Sequence, residues 1–503
     1  MTAVLVLDGA SLSLRDVIAV AREGRLFALA PAAREAMTAT RSVVERVVAS
    51  GVPTYGVNTG FGKLSEISIA DDELAALQRN LVRSHAAGVG TPLPDDVVRA
   101  MLLLRANVLA KGTSGARPLL VDALAALLDH DILPVVPSQG SVGASGDLAP
   151  LAALALPLIG EGRVRWRGSE MRATDALAGA GLSPLTLEAK EGLALINGTQ
   201  AHTAIAALAL HDAAVLLETA HVAGAMSLEG LLGTPVPFDE RIQQLRGQPG
   251  QIAVAATMRA LLAGSAIRDS HVLGDPRVQD AYALRCIPQV HGPVADAVAF
   301  SRGIVERELN AATDNPLVFA DGTMLSGGNF HGGAVAMASD FLAIALTNLA
   351  VISERRIDRL VHPDLNEGLP AFLAVKPGVE SGLMMAQVTA AAITSECKLL
   401  AHPASVDSIP TDGNKEDVVP MAMGAARKLA WIVERVRHVL AVELLAAAVA
   451  IDLRAPLRPG VGVAVAHDRV REIVAPHTGD RALTDDLERL SASIAAGTFT
   501  ELC

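Results

Sequence analysis

The stretch SQGSVGASGDLAPLAAL, Ser138 to Leu154, decides how this chain is read. Glycines recur at 140, 143 and 146, and Ala144-Ser145-Gly146 runs directly into an acid, Asp147, and an apolar, helix-like run. A phosphate cradle would need a lysine after the loop, and none follows Gly143. The superficially similar GVNTGFGKL (56–64) has Val57 and Leu64 where the pattern G-x-x-x-x-G-K-[ST] requires Gly and Ser or Thr. A plain turn is the usual fate of a glycine-rich loop, but it gives no reason for this residue order. Backbone chemistry does. In a sharp bend the Gly146 nitrogen attacks the Ala144 carbonyl carbon, and loss of water closes a five-membered ring. Loss of the Ser145 hydroxyl as a second water leaves an exocyclic methylidene. Gly146 then serves as an unhindered nucleophile with unusual dihedrals. Ala144 keeps its carbonyl accessible, and Ser145 carries the eliminable oxygen. The product, 4-methylideneimidazol-5-one, is a strong electrophile that needs no external cofactor. A helix starting after Asp147 would favour negative charge developing there.

Composition bounds the rest. The chain has 503 residues, enough for two to four packing units. It is 51% hydrophobic and 19% charged, with a mean hydropathy of +0.37. These values imply helices buried on most sides in a large or oligomeric core. The most apolar window, FLAIALTNLAVIS (341–353), is read as too short to span a bilayer and ends in ERRIDR. The N-terminus lacks a basic region and carries Asp8, unlike a signal peptide. A net charge of −12 speaks against nucleic acid or an anionic membrane as partner. Cys286, Cys397 and Cys503 are odd in number and widely spaced. That pattern disfavours a disulfide framework or a metal site and suits a reducing cytoplasm.

Along the chain, a strand at Val4–Leu7 precedes a helix opened by a Ser13/Asp16 capping box. A helix in 71–90 carries Leu74, Leu77 and Leu81 on one face, with His85 one turn further along. Pro94 with two acids opens the next helix, and Lys111-Gly112 closes it. A hairpin is expected around Asp321-Gly322, and a long helix from Ala334 to about His362, roughly 40 Å at 1.5 Å per residue. The expected fold is mainly α. A loop-rich N-terminal region, 1–190, bears the electrophile loop and leads into a long-helix bundle, 191–503, as one continuous folding unit.

GSVGASGDLAPLA (140–152) resembles the signature of the aromatic amino acid ammonia-lyase family, whose members form this electrophile from Ala-Ser-Gly. The likeness extends from PTYGVNTGFG (53–62) to NKEDVVPM (414–421), most of the chain. It implies a fumarase/aspartase-like helical architecture, a homotetramer with sites shared between subunits, and removal of ammonia from an α-amino acid. The electrophile activates the departing amine, and a base takes the β-proton. The chain has two tyrosines, and both fall in matching motifs. Tyr55 matches the base and Tyr282 a residue assisting near the electrophile. Arg285, three residues after Tyr282, matches the substrate-carboxylate clamp, a task suited to a planar guanidinium. Asn197 and Gln279 match polar pocket residues, and Phe330 an aromatic wall. Read without the family, each has a blander role: packing tyrosines, a surface cation, capping or core-bridging amides.

Ser84-His85 and Glu416 resemble the version of the family that acts on histidine, where phenylalanine lyases carry a different pair and an NQD motif. A carboxylate and a histidine together hydrogen-bond both nitrogens of an imidazole, whereas a phenyl ring leaves them unpaired. The expected reaction is therefore L-histidine to trans-urocanate and ammonia. Lys415, Val418 and Gly333-Ala334 depart from many relatives and leave the substrate contacts less defined. Alternatives are a tyrosine or phenylalanine lyase, a 2,3-aminomutase, or a catalytically silent helical scaffold. A fumarase-type lyase is disfavoured because its usual Gly-Ser-Ser loop does not appear.

Overall fold

The computed structural model describes residues 3–500 and 502. Among them are nineteen α-helices and a few very short strands, so the fold is mainly α. Local signals act as expected. Ser13 and Asp16 form a complete capping box on Leu14–Glu23, and Gly24 ends that helix in the left-handed conformation. The helix Asp95–Ala110 starts after Pro94 with both acids in its first turn. Leu317–Val318 pairs with Met324–Leu325 around the Asp321-Gly322 turn. Leu5–Leu7 is indeed a strand, and it pairs in parallel with a strand that local pattern did not reveal, Phe27–Leu29.

Two compact units are present, each built from separated stretches of chain. The first comprises 1–208, 302–340 and 403–427; the second comprises 209–301, 341–402 and 428–503. Helices Asp95–Ala110, Leu148–Ala155 and Glu191–Ile196 form the buried framework of the first unit, almost every one of their residues being inaccessible. The three-stranded sheet 133–134, 163–166, 169–172 is antiparallel throughout.

The second unit holds segments of the long helices Gln200–Gly230, Ile287–Glu308, Gly333–Val361 and Ala422–Leu453. At its centre Arg356 and Glu443, both 0% exposed, form a two-pronged ion pair, with Arg356 Nη2 2.9 Å from Glu443 Oε2. Ser227 and Ser353 donate further hydrogen bonds to the same carboxylate. His291 lies 3.4 Å from Arg356 Nη1 and stacks on His221 at 5.3 Å between ring centroids. A charged pair survives here because every oxygen of the carboxylate is hydrogen-bonded.

One expectation is corrected. Gln200–Gly230 and Gly333–Val361 are each long and apolar enough to cross a bilayer. The window 341–353 is the middle of the second helix, not a short isolated run. In both, 72% of the apolar window is buried inside the protein, which accounts for the hydropathy. Among the described residues no His/Cys/Asp/Glu group is placed to hold a metal, and Cys286 and Cys397 are free thiols. Cys503 lies outside the described residues.

Candidate active site

The opening stretch forms a loop laid against a second one. Gly146 has φ +71°, and a Cβ there would sit 2.1 Å from the Gly198 carbonyl oxygen. Only glycine permits this approach, which makes a backbone bridge between 146 and 198. The Asp147 N–H then donates to Gly198 O at 2.7 Å. Asn197, next to Gly198, donates from Nδ2 to the Ser145 carbonyl at 2.9 Å.

The platform under 197–198 is polar and buried. Arg105 donates from Nη1 to Ala194 O at 2.7 Å and Asn197 O at 3.0 Å, and from Nη2 to Gln200. Burial lowers Arg105 to about 10. Lys190 and Asp314 form a buried ion pair at 2.8 Å beside it. On the loop's other side Asp147 accepts from Ser141 Oγ at 2.7 Å and from the His202 backbone N–H at 2.8 Å, with His202 Nδ1 also at 2.8 Å. Burial alone would raise Asp147, but the His202 charge and these hydrogen bonds hold it below the usual carboxylate range. The helix Leu148–Ala155 begins immediately afterwards, as the apolar run implied.

A cavity of about 560 Å³ opens over the loop, and its lining comes from the first unit. Tyr55, His85, Ser145, Asn197 and Glu416 all line it, so five residues chosen from distant motifs share one space. Ser145 Oγ donates to Glu416 Oε1, and Thr411 Oγ1 donates to Glu416 Oε2. His85 Nδ1 lies 2.9 Å from the Leu81 carbonyl, which can only accept. That contact assigns the proton to Nδ1, leaving Nε2 as an acceptor in the neutral ring. Leu77, Leu81, Leu148 and Leu193 give the cavity apolar walls. Tyr55 packs edge-on to Phe61, centroids 6.5 Å apart. Burial raises its phenol above the ordinary value; Asp412, Asp314 and Glu416 push the same way, and a hydrogen bond from Gly62 N–H opposes them.

The remaining candidates lie elsewhere. Ala144 is buried within the loop, 4% exposed. Phe330 belongs to the first unit, in the turn preceding Gly332, whose N–H donates to Gly143 O at 3.0 Å. Phe330 itself does not line the cavity. Gln279, Tyr282 and Arg285 belong to the second unit. Arg285 sits over the Tyr282 ring, 4.6 Å from its centroid, as a three-residue helical spacing requires. Tyr282 is 69% exposed. Their stretch is anchored from Arg277, which binds Asp275 and the Leu231 carbonyl, and from Asp280, which accepts from Thr234 N–H at 2.7 Å.

Sequence reasoning missed Asp412, a second carboxylate in the cavity lining. Its signal was available as the turn-forming pair Asp412-Gly413, just before Glu416.

A mainly α fold of long helices, carrying a glycine-bent Ala-Ser-Gly loop beneath a cavity, defines a helical carbon–nitrogen lyase. The aromatic amino acid lyase family model matches residues 12–472, and the chain belongs to that family. It is 56% identical over 502 residues to a histidine ammonia-lyase of Anaeromyxobacter sp. (strain K), covering 98% of this chain and 99% of that one. Among solved structures, a histidine ammonia-lyase from Trypanosoma cruzi matches with a TM-score of 0.92 at 41% identity, over 99% of this chain and 95% of that one. A tyrosine aminomutase from Streptomyces globisporus matches with a TM-score of 0.94 at 36% identity, over 99% and 98%. Backbone likeness therefore does not separate these two relatives, and side chains in the cavity must.

Proposed function

We propose that this protein removes ammonia from L-histidine without oxidation, giving trans-urocanate. The observation that carries the reading is the Ser145–Glu416 hydrogen bond in a cavity also lined by His85. His85 Nε2 and the Glu416 carboxylate are both acceptors, so an imidazole ring protonated on both nitrogens satisfies both.

The loop suits maturation to 4-methylideneimidazol-5-one. The bend at Gly146 leaves no room for a side chain, and Asn197 holds the Ser145 carbonyl. Attack of Gly146 N on the Ala144 carbonyl carbon and loss of two waters, one carrying the Ser145 oxygen, complete it. The ring supplies an electrophile that activates departure of the substrate amine. Loss of the Ser145 hydroxyl also releases Glu416 Oε1 from its partner and leaves that oxygen free to accept from substrate.

Tyr55 serves as the base for the β-proton. Burial, with the nearby carboxylates, raises its proton affinity and keeps the phenol neutral, and the positive charge of the substrate ammonium favours the phenolate. Tyr282 assists, Arg285 grips the substrate carboxylate, and Gln279 and Phe330 complete the surroundings. The assembly is a homotetramer in which Gln279, Tyr282 and Arg285 are offered across a subunit interface. The exposure of Leu273 (91%), Val278 (96%) and Tyr282 (69%) in that stretch supports this. The free thiols Cys286 and Cys397 suit action in the reducing cytoplasm.

Parallel incubation with L-histidine, L-tyrosine and L-phenylalanine, followed by ultraviolet absorbance of the unsaturated acid, tests the assignment. Urocanate should dominate; faster turnover of either other amino acid, or a β-amino acid product, rejects it. Mass spectrometry of the peptide containing Gly146 should find it lighter than encoded by two waters. Ser145→Ala should remove nearly all turnover while leaving the fold intact.

A further inference from the structure

Asp412 enters the reading above only as a nearby charge, yet the chain is shaped around it. It belongs to a run of three residues, Asp412, Gly413 and Asn414, with φ of +47°, +56° and +66°. Two of the three are not glycine, so the backbone is held where L side chains are disfavoured. The opposing residue, Gly62, has φ +54°, and a Cβ there would lie 2.4 Å from Asp412 Oδ2 and 2.7 Å from Oδ1. The Asp412 carboxylate thus occupies the space where a side chain at 62 would stand. The Lys63 N–H donates to Asp412 Oδ1 at 3.3 Å. The Gly62 backbone N–H favours the charged form of the Tyr55 phenol.

We propose that Asp412 is a positioning residue for Tyr55: its carboxylate fills the gap left by Gly62, pins the 62–64 turn through the Lys63 N–H, and so aims the Gly62 N–H at the phenol oxygen. Its charge also acts on the phenol. The charged or titratable groups around Tyr55 are Asp412 and Glu416 from the 411–416 loop, Asp314 paired with Lys190, Lys63 on the turn, and His85 across the cavity. Of the carboxylates, Asp314 is neutralised by Lys190, while Glu416 accepts only from hydroxyls, Thr411 and, before maturation, Ser145. Among the carboxylates Asp412 acts most strongly on the phenol, adding to the larger effect of burial.

This inference rests on Tyr55 being the base, but its test does not need turnover. The chain has two tyrosines, so in a Tyr282→Phe background the near-ultraviolet tyrosinate absorbance reports Tyr55 alone. Asp412→Asn keeps the shape and removes the charge. Its tyrosinate transition should move to lower pH by of the order of one unit. Asp412→Ala removes shape as well and should also lose the Gly62 N–H contact. That contact steadies the phenolate, so its transition should fall less than that of Asp412→Asn. In otherwise wild-type enzyme, the acid limb of kcat/KM should follow the Asp412→Asn shift. An unmoved tyrosinate transition in folded Asp412→Asn overturns the proposal. A shifted transition with an unmoved acid limb leaves Asp412 acting on Tyr55 and rejects Tyr55 as the base.

Discussion

The Ser145 hydroxyl donates to the Glu416 carboxylate across 271 positions of chain. One partner belongs to the loop proposed to mature, the other to the loop proposed to read the substrate ring. Glu416→Gln removes the charge while keeping the shape. The kcat/KM for L-histidine should drop roughly 10- to 100-fold, the value of a charged hydrogen bond. Competitive inhibition by L-phenylalanine, whose ring uses neither nitrogen contact, should stay within a few-fold of wild type. An equal loss for both ligands would show that Glu416 supports the loop without reading the ring.

Gly146→Ala places a Cβ against the Gly198 oxygen, at 2.1 Å in the present backbone. The bend must open, and the nitrogen then leaves the Ala144 carbonyl. Intact-mass measurement should return the encoded mass with no loss of water, and turnover should vanish. A variant that matures normally would mean that the bend is not what brings the two atoms together.

Acid should loosen the second unit before it reaches the ordinary carboxylates. Burial, followed by the Arg356 charge, lowers His221 to about 4, and the same causes hold His291 well below its ordinary value. Both rings are neutral in the folded state and protonate more readily when unfolded. The unfolded chain therefore binds more protons below its histidine value of 6.5. Stability is fully present above that pH and falls as the pH drops toward about 4. Thermal melting between these limits should show the decline, and His221→Phe should flatten it. A melting temperature independent of pH over this interval contradicts the assignment.

Glu443→Gln should be among the most damaging single substitutions. It leaves the fully buried Arg356 guanidinium without its counter-charge and weakens two serine hydrogen bonds. The expected cost is about 3–5 kcal/mol, read from denaturant unfolding. Replacing Arg356 and Glu443 together by Met and Leu should recover much of that loss, since the pair owes its presence to mutual neutralisation.

What was legible in the sequence is what local chemistry controls. The Ser13/Asp16 box, the Pro94 start and the Asp321-Gly322 turn lie within a few residues of the structure they specify, so spacing alone reveals them. The same holds for the Ala144-Ser145-Gly146 order, because the proposed cyclisation joins atoms two residues apart. Phe27–Leu29 escaped because a three-residue parallel strand has no periodicity of its own; its partner Leu5–Leu7 lies beyond an intervening helix. Asp412 escaped because a left-handed backbone leaves no apolar rhythm, only a turn signal.

The sequence by itself carried the Ala-Ser-Gly tripeptide, the helical class and the residue types able to meet an imidazole ring. Tertiary structure decided which of them share a cavity, and that Asp412 is there too. It decided that Gly146 must be glycine because Gly198 lies against it, and that charges inside apolar helices are tolerated where Arg356 meets Glu443. The physical reason is the same in each case. These relationships depend on distance in space between residues dozens to hundreds of positions apart, and burial strengthens them only once packing has expelled water.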